Sequence, residues 1–189
     1  IEADLAAVLD LEKRIATASR PLSQLRDRIE ARARRSLERM GLPRGEVLLV
    51  SNAAELAGAE GRALWDRLRS LKDKGLFRAI GFCATVEDGP ALLARRLEAD
   101  VVQVPCSLLD QRAAQDGTLE AIADAGACVH LSSVFADGLL FMNGDYISAN
   151  EPLGAALSRV RRHLAEARID PMQATLAFTL GLEEVSSVV

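Results

Sequence analysis

Side chains that can take part in chemistry stand at the ends of three apolar runs that follow one another along the chain. The runs cover residues 78–82, 100–105 and 128–131. The groups within or just past them belong to Cys83, Gln103, Cys106, Ser132 and Ser133. A thiolate is a nucleophile, and an amide donates and accepts hydrogen bonds at once. Small or polar residues after successive strands are typical of the ligand site at the mouth of a parallel barrel.

Nucleophilic catalysis by Cys83 requires a base beside the thiol, and the sequence places no histidine near it. His130 lies within an apolar run and is expected to be a core residue, while His163 follows Arg161 and Arg162 on a solvated helix face. We therefore predict that neither histidine forms a catalytic pair with Cys83.

Helical and strand patterns alternate along the chain, and they predict the elements that position these groups. Apolar residues at helical spacing predict helices at 23–40, 60–74, 90–98, 117–125, 153–167 and 171–180. Short apolar runs predict strands at 46–50, 78–82, 101–104, 128–131 and 185–189. Residues 1–11 have a helical spacing, and residues 14–18 have a strand pattern after almost no connection. We therefore expect a segment to be missing near Glu12.

Strands that are separated by helices, without hairpin turns, pair in parallel, which predicts the α/β class. A doubly wound sheet is the alternative, but it usually has a glycine-rich phosphate loop after its first strand, and the sequence contains no such pattern. We predict a (β/α)8 TIM barrel that forms a single domain over residues 1–189. A complete barrel takes about 250 residues, so N-terminal strands and the C-terminal end are expected to be missing.

The composition limits the kinds of partner. With 49% hydrophobic residues in 189, the chain can bury one core. The net charge is -4 and the arginines are spread among acidic residues, which predicts no nucleic-acid surface. No apolar run approaches the roughly eighteen residues of a membrane span. The three cysteines lie far apart in or beside apolar runs, a pattern of reduced core thiols rather than disulfides or a zinc site, and they predict a cytoplasmic protein.

Several segments resemble the aldo/keto reductase family, in the order in which that family carries them. The resemblance covers about residues 23–189, from the helix before the fourth barrel strand to the eighth strand. The matching segments are residues 36–42, 46–50, 64–75, 78–81, 100–110, 170–178 and 185–189. The resemblance implies a barrel mouth that binds NADPH or NADH and an activity on a carbonyl or sugar-like small molecule.

The resemblance also implies which residues hold the cofactor. Gln103 matches the glutamine that binds the nicotinamide carboxamide, a task that suits an amide because it donates and accepts simultaneously. Ser132 stands where relatives commonly have an aromatic residue that stacks on the nicotinamide ring. The loop that contacts the pyrophosphate in relatives corresponds to Ser133, Val134, Phe135 and Gly138. Relatives usually have proline in place of Val134.

The chain departs from the family at the positions of catalysis. Ser51 stands where the family has its catalytic histidine, and Ala18 where it has its lysine. Cys83 and Ala84 replace the Ser-Asn pair that binds the carboxamide. Tyr146, the only tyrosine, follows the seventh strand and is expected to be a loop residue rather than the proton donor. The resemblance assigns the substrate pocket to Ser51, Asn52, Cys83 and Cys106.

Two functions of different classes follow from this pattern. The first is a nicotinamide-dependent oxidoreductase whose active residues lie partly outside this chain. The second is a barrel without catalysis that serves as a nucleotide-binding or regulatory module. Loss of the lysine and histidine would remove several kcal/mol of transition-state stabilisation, which favours slow or absent carbonyl reduction.

Overall fold

The computed structural model describes residues 22–58, 60–142 and 151–189. Its α-helices are α1 Leu22–Arg39, α2 Ala53–Ala57, α3 Gly61–Asp73, α4 Pro90–Leu97, α5 Arg112–Gln115, α6 Thr118–Asp124, α7 Glu151–Glu166 and α8 Pro171–Leu180. Its strands are β1 Gly45–Val50, β2 Phe77–Cys83, β3 Val101–Pro105, β4 Cys128–Ser132 and β5 Val185–Val188. Two 3-10 helices cover Val86–Asp88 and Ala136–Phe141.

The described strands form one parallel sheet in which the spatial order equals the chain order, β1-β2-β3-β4-β5. Each connection carries the chain back along the sheet through at least one helix, because parallel neighbours need a crossover. This is the topology of consecutive βα units in a barrel. All five strands therefore end at the same edge of the sheet.

One face of the sheet packs against helices and forms the core. Alternate strand residues lie on opposite faces, and those of the helix-facing side join a single buried cluster with the helices. The strand residues of this side in the cluster are Leu48, Val50, Ile80, Phe82, Val102, Val104, Val129 and Leu131, and Phe77 at the start of β2 also joins it. The residues between them lie on the opposite face, which we call the inner face; it includes Gly81, Cys83, Gln103 and His130.

The indole of Trp65 connects α3 to the end of α4. This side chain is fully buried, its ring packs edge-on against Phe82, and its Nε1 donates to the carbonyl oxygen of Leu97 over 2.7 Å. Nearby, the Lys72 ammonium donates to the Asp100 carboxylate, which also accepts from the backbone N–H of Ile80. These contacts fix the helix layer against β2 and β3.

The predicted strands are confirmed except the one at residues 14–18, which lies outside the described residues together with the predicted helix at 1–11. The six helices predicted from residue 23 onward are confirmed, with ends that differ by at most two residues. Sequence reasoning missed α2 and α5, since helices of four or five residues are too short to show a period. The Asn52 side chain, which accepts from the backbone N–H of Ala54 as the cap of α2, is a local sign of such an element in the sequence.

The prediction of three core thiols is wrong for two of the cysteines. Cys106 is buried, but Cys83 is half-buried and Cys128 is exposed. Both exceptions lie on the inner face, opposite the helix-facing core cluster. His130 is also half-buried rather than enclosed in the core, whereas His163 is exposed as predicted.

Candidate functional site

A row of polar side chains crosses the inner face at the carboxyl ends of the strands. The pairing register makes Cys83 the Cα partner of Gln103, Gln103 the partner of His130, and His130 the partner of Ser187. We call these four residues the inner-face row. Two residues further along these strands, towards the carboxyl edge of the sheet, Pro105 is the partner of Ser132. The predicted cofactor residues Gln103 and Ser132 are therefore brought together on adjacent strands.

Gln103 is the most enclosed member of the row. Its side chain is 5% exposed, and its amide oxygen is fully enclosed. Burial lowers the pKa of the neighbouring His130 imidazole, so this ring stays neutral at neutral pH and offers one donor and one acceptor. The row thus presents groups that both donate and accept hydrogen bonds, and it carries no formal charge near pH 7.

The segment after β4, residues 133–142, has an unusual backbone; we call it the β4 loop. Positive φ angles occur at Ser133 (54°), Ala136 (46°) and Asp137 (53°), as well as at Gly138 (79°). For a residue with a Cβ atom this conformation costs about 1–2 kcal/mol. Strain of this size persists only where surrounding contacts impose it, and such residues are frequent at ligand sites.

Contacts with α7 hold the β4 loop in place. The guanidinium of Arg161 donates to the carbonyl oxygens of Leu139 at 2.8 Å, of Leu140 at 3.1 Å and of Met142. Leu140 and Leu157 form a small buried cluster on the same side. The loop is therefore docked on α7 by both polar and apolar contacts.

The predicted pyrophosphate residues lie together at the start of this loop. Ser133 is exposed, Phe135 and Gly138 are partly exposed, and Val134 is 4% exposed. Hydrogen bonds within the loop join the N–H of Ala136 to the carbonyl of Ser133 and the N–H of Gly138 to that of Phe135. Ser133, Ala136 and Gly138 contribute small side chains to this turn, whereas Phe135 packs against Phe141.

The predicted substrate-pocket residues are not all in one place. Ser51 and Asn52 are exposed at the end of β1, where Asn52 caps α2. Cys83 lies in the inner-face row, whereas Cys106 is 1% exposed within the core cluster. Burial, with a smaller effect of the Asp110 carboxylate, raises the pKa of the Cys106 thiol and keeps it protonated. Ala18 and Tyr146 lie outside the described residues.

Two charged contacts near the site were missed by sequence reasoning. Arg112 donates to Asp110 at 2.8 Å and to Glu87 at 2.5 Å, which ties the loop after β3 to the loop after β2. The Arg112 hydrogen bond lowers the pKa of the Asp110 carboxyl. The other missed contact is that of Arg161, about twenty residues from its partners. No local pattern marks the contacts of Arg112 with Glu87 and of Arg161 with the β4 loop, because both depend on how the loops fold back.

Within residues 22–58, 60–142 and 151–189, the structure has no helix that is long and apolar enough to cross a membrane.

Comparisons with known proteins agree on one family. The family model described as "Aldo/keto reductase family" matches residues 13–189. The aldo-keto reductase AKR11C1 from Bacillus halodurans, solved in its holo form, has a TM-score of 0.65 and 17% identity over 86% of this chain and 54% of its own. The glycerol dehydrogenase AKR11B4 from Gluconobacter oxydans has a TM-score of 0.62 and 18% identity over the same shares, 86% and 54%. No curated protein matches the chain.

These solved structures are (β/α)8 barrels, and the chain spans about half of their length. The five-stranded parallel sheet is the corresponding part of such a barrel. On the family match over residues 13–189, the chain belongs to the aldo/keto reductase family.

Proposed function

We propose that the described chain forms the nicotinamide-binding side of an NAD(P)H-dependent oxidoreductase that acts on a carbonyl or sugar-like small molecule. The observation that carries the proposal is the position of the enclosed Gln103 amide beside Ser132 and the strained β4 loop, at the carboxyl edge of a parallel sheet. Ligands bind at this edge in barrel enzymes. Family membership supports the choice of NADPH or NADH, which the family generally uses.

The residues at this edge suit the two ends of such a cofactor. The Gln103 amide can donate to a carboxamide oxygen and accept from its NH2 group, and its burial removes water that would compete. Ser133 and Gly138 bring small side chains to a loop whose backbone a diphosphate could approach. Ser132 adds a hydroxyl between Gln103 and the β4 loop.

A bound nicotinamide would supply a hydride for a carbonyl carbon. The chain's own contribution is to hold and orient that group, because Ser51 and Ala18 stand at the family positions of the catalytic histidine and lysine. A serine hydroxyl remains un-ionised at neutral pH, and an alanine cannot lower the pKa of a neighbouring proton donor. The name of the Gluconobacter oxydans relative supports a substrate of the polyol or carbonyl class.

A second candidate is a barrel that binds the nucleotide but does not catalyse. Ser51 favours it, since this exposed residue follows β1 where the family places a catalytic ring. Both candidates predict the same cofactor residues. They differ only in turnover.

A titration with NADPH and NADH, followed by nicotinamide fluorescence, tests the shared part of the two candidates. Saturable micromolar binding supports the nucleotide site, whereas no binding at millimolar cofactor contradicts both candidates. A screen of small aldehydes, ketones and sugars, with cofactor oxidation as the readout, then separates them. Turnover supports the oxidoreductase, and binding without turnover supports the module.

A further inference from the structure

We infer that Arg161 is a positioning residue for the β4 loop, which it holds in the strained shape that receives the ligand's diphosphate. The inference rests on the proposed function, because it names the group that keeps one part of that site in place. Arg161 lies on α7, and its guanidinium contacts backbone carbonyl groups of the β4 loop. Its effect on a ligand would pass through the loop backbone.

The first support is the geometry of the contact. One guanidinium donates to the carbonyl oxygens of Leu139, Leu140 and Met142, which span the end of the 3-10 helix. Arginine has five N–H donors in a rigid fork, so it can fix several carbonyls in one arrangement. A lysine ammonium at this position would make fewer such contacts and hold them less rigidly.

The second support is the strained backbone in the first half of the same loop. Ser133, Ala136 and Asp137 have φ angles of 54°, 46° and 53°, a region that residues with a Cβ atom rarely adopt. Such a loop relaxes unless tertiary contacts impose its shape. The cluster of Leu140 and Leu157 buries the loop's apolar side but does not orient its carbonyl groups. Arg161 orients the carbonyl groups of Leu139, Leu140 and Met142.

The third support is electrostatic. Carbonyl oxygens carry partial negative charge and repel a diphosphate. The guanidinium engages three of them, and it adds a positive charge close to the loop. A rigid loop also loses less conformational freedom when a ligand binds.

The test uses the intact protein with three single substitutions. Arg161→Met removes the donors while keeping a long apolar stem, and Arg161→Lys keeps the charge. Arg162→Met is the matched control, since Arg162 is the next residue of α7 and its side chain is exposed. Two readouts are compared: hydrogen exchange in peptides covering residues 133–142, and the Kd for NADPH from fluorescence.

We expect Arg161→Met to speed exchange in these peptides and to raise the Kd for NADPH about tenfold, with Arg161→Lys between it and the wild type. Arg162→Met should match the wild type in both readouts. The inference is overturned if Arg161→Met leaves loop exchange unchanged, or if the loop loosens and the Kd does not move. If Arg161→Met fails to fold, Arg161→Lys against Arg162→Met decides on the same two readouts.

The two proposals fail in different ways. If wild-type protein binds no NADPH, the proposed function is contradicted, and loop exchange still decides whether Arg161 holds the loop. If wild-type protein binds NADPH and Arg161→Met behaves like Arg162→Met, only the role of Arg161 is contradicted.

Discussion

Gln103 and His130 are Cα partners on the adjacent strands β3 and β4, so an amide and an imidazole occupy the same level of the inner face. Register fixes this pairing, because a one-residue slip of either strand would turn the side chains of that strand to the opposite face. The neutral His130 ring brings no charge to the level at which Gln103 would meet a carboxamide. Substitutions of Gln103 and of His130 therefore test the environment that each side chain has on the inner face.

Replacing Gln103 by leucine should weaken NADPH binding. Loss of one neutral amide contact costs about 1 kcal/mol, and more if a polar group of the ligand stays unsatisfied, so we expect the Kd to rise about tenfold. Gln115→Leu is the matched control, since the Gln115 amide donates to Gln111 on an exposed helix. Equal affinities for the two variants would contradict the proposed role of Gln103.

His130 should make the protein less stable as the pH falls below about 6.5. Burial lowers its folded-state pKa below the usual value of about 6.5, so the unfolded chain takes up the proton first and unfolding becomes more favourable as the pH decreases. We expect the free energy of unfolding to fall less between about pH 7 and about pH 5 in His130→Gln than in the wild type.

Urea unfolding at several pH values measures this difference. The carboxyl groups with lowered pKa, Asp110, Glu30 and Glu87, affect stability mainly below about pH 4.5, outside this interval. His163→Gln controls for the loss of a histidine, since His163 is exposed. If the free energy of unfolding falls equally with pH in the wild type and in His130→Gln, the lowered folded-state pKa of His130 is refuted.

Gly81→Ala should strongly destabilise the sheet where β2 pairs with β3. A Cβ atom at this position would lie 2.0 Å from the carbonyl oxygen of Val101 and 2.9 Å from Cδ2 of Leu49. The carbonyl oxygen of Val101 belongs to the backbone of β3 and cannot move without disturbing the strand pairing. We therefore expect the free energy of unfolding to fall by about 3 kcal/mol.

Thermal or urea unfolding compares this variant with Gly75→Ala. Gly75 has a φ of 73° and no atom within 4 Å of its added Cβ, so its substitution tests backbone strain alone, at about 1–2 kcal/mol. A smaller loss for Gly81→Ala than for Gly75→Ala would contradict the close approach of β2 and β3.

Arg168→Gly should stabilise the end of α7. Arg168 has a φ of 55°, and the adjacent N–H of Ile169 donates to the carbonyl of Leu164 at 2.9 Å, as in a helix that ends with a left-handed residue. Glycine adopts this conformation without a Cβ clash, so we expect a gain of about 1 kcal/mol in urea unfolding. Arg168→Ala keeps the Cβ atom and should show no gain; equal effects of the two changes would refute the explanation.

The strands and long helices could be predicted because their apolar periods are local. Residues 101–104 are apolar except for Gln103, and this exception identified a polar group on the inner face before the fold was known. The resemblance to a family supplied its proposed role, which the sequence pattern alone could not give. Consecutive strands joined by helices also determined that their carboxyl ends would share one edge.

The contacts that shape the site could not be predicted in the same way. Arg161 and Leu139 are far apart in sequence, and nothing near Arg161 distinguishes it from Arg162 on the same helix. The positive φ angles of Ser133, Ala136 and Asp137 were also hidden, since these residue types usually have ordinary backbone conformations. Tertiary contacts impose this shape, and local propensity does not encode them.

Hydrogen exchange with and without saturating NADPH tests the central claim most directly, because it locates the ligand on the chain. We expect protection in peptides that contain Gln103 and in those covering residues 133–138, with α3, Gly61–Asp73, unchanged as the internal reference. Saturating NADPH that protects neither segment, or protects only regions away from the strand ends, would contradict the nucleotide site.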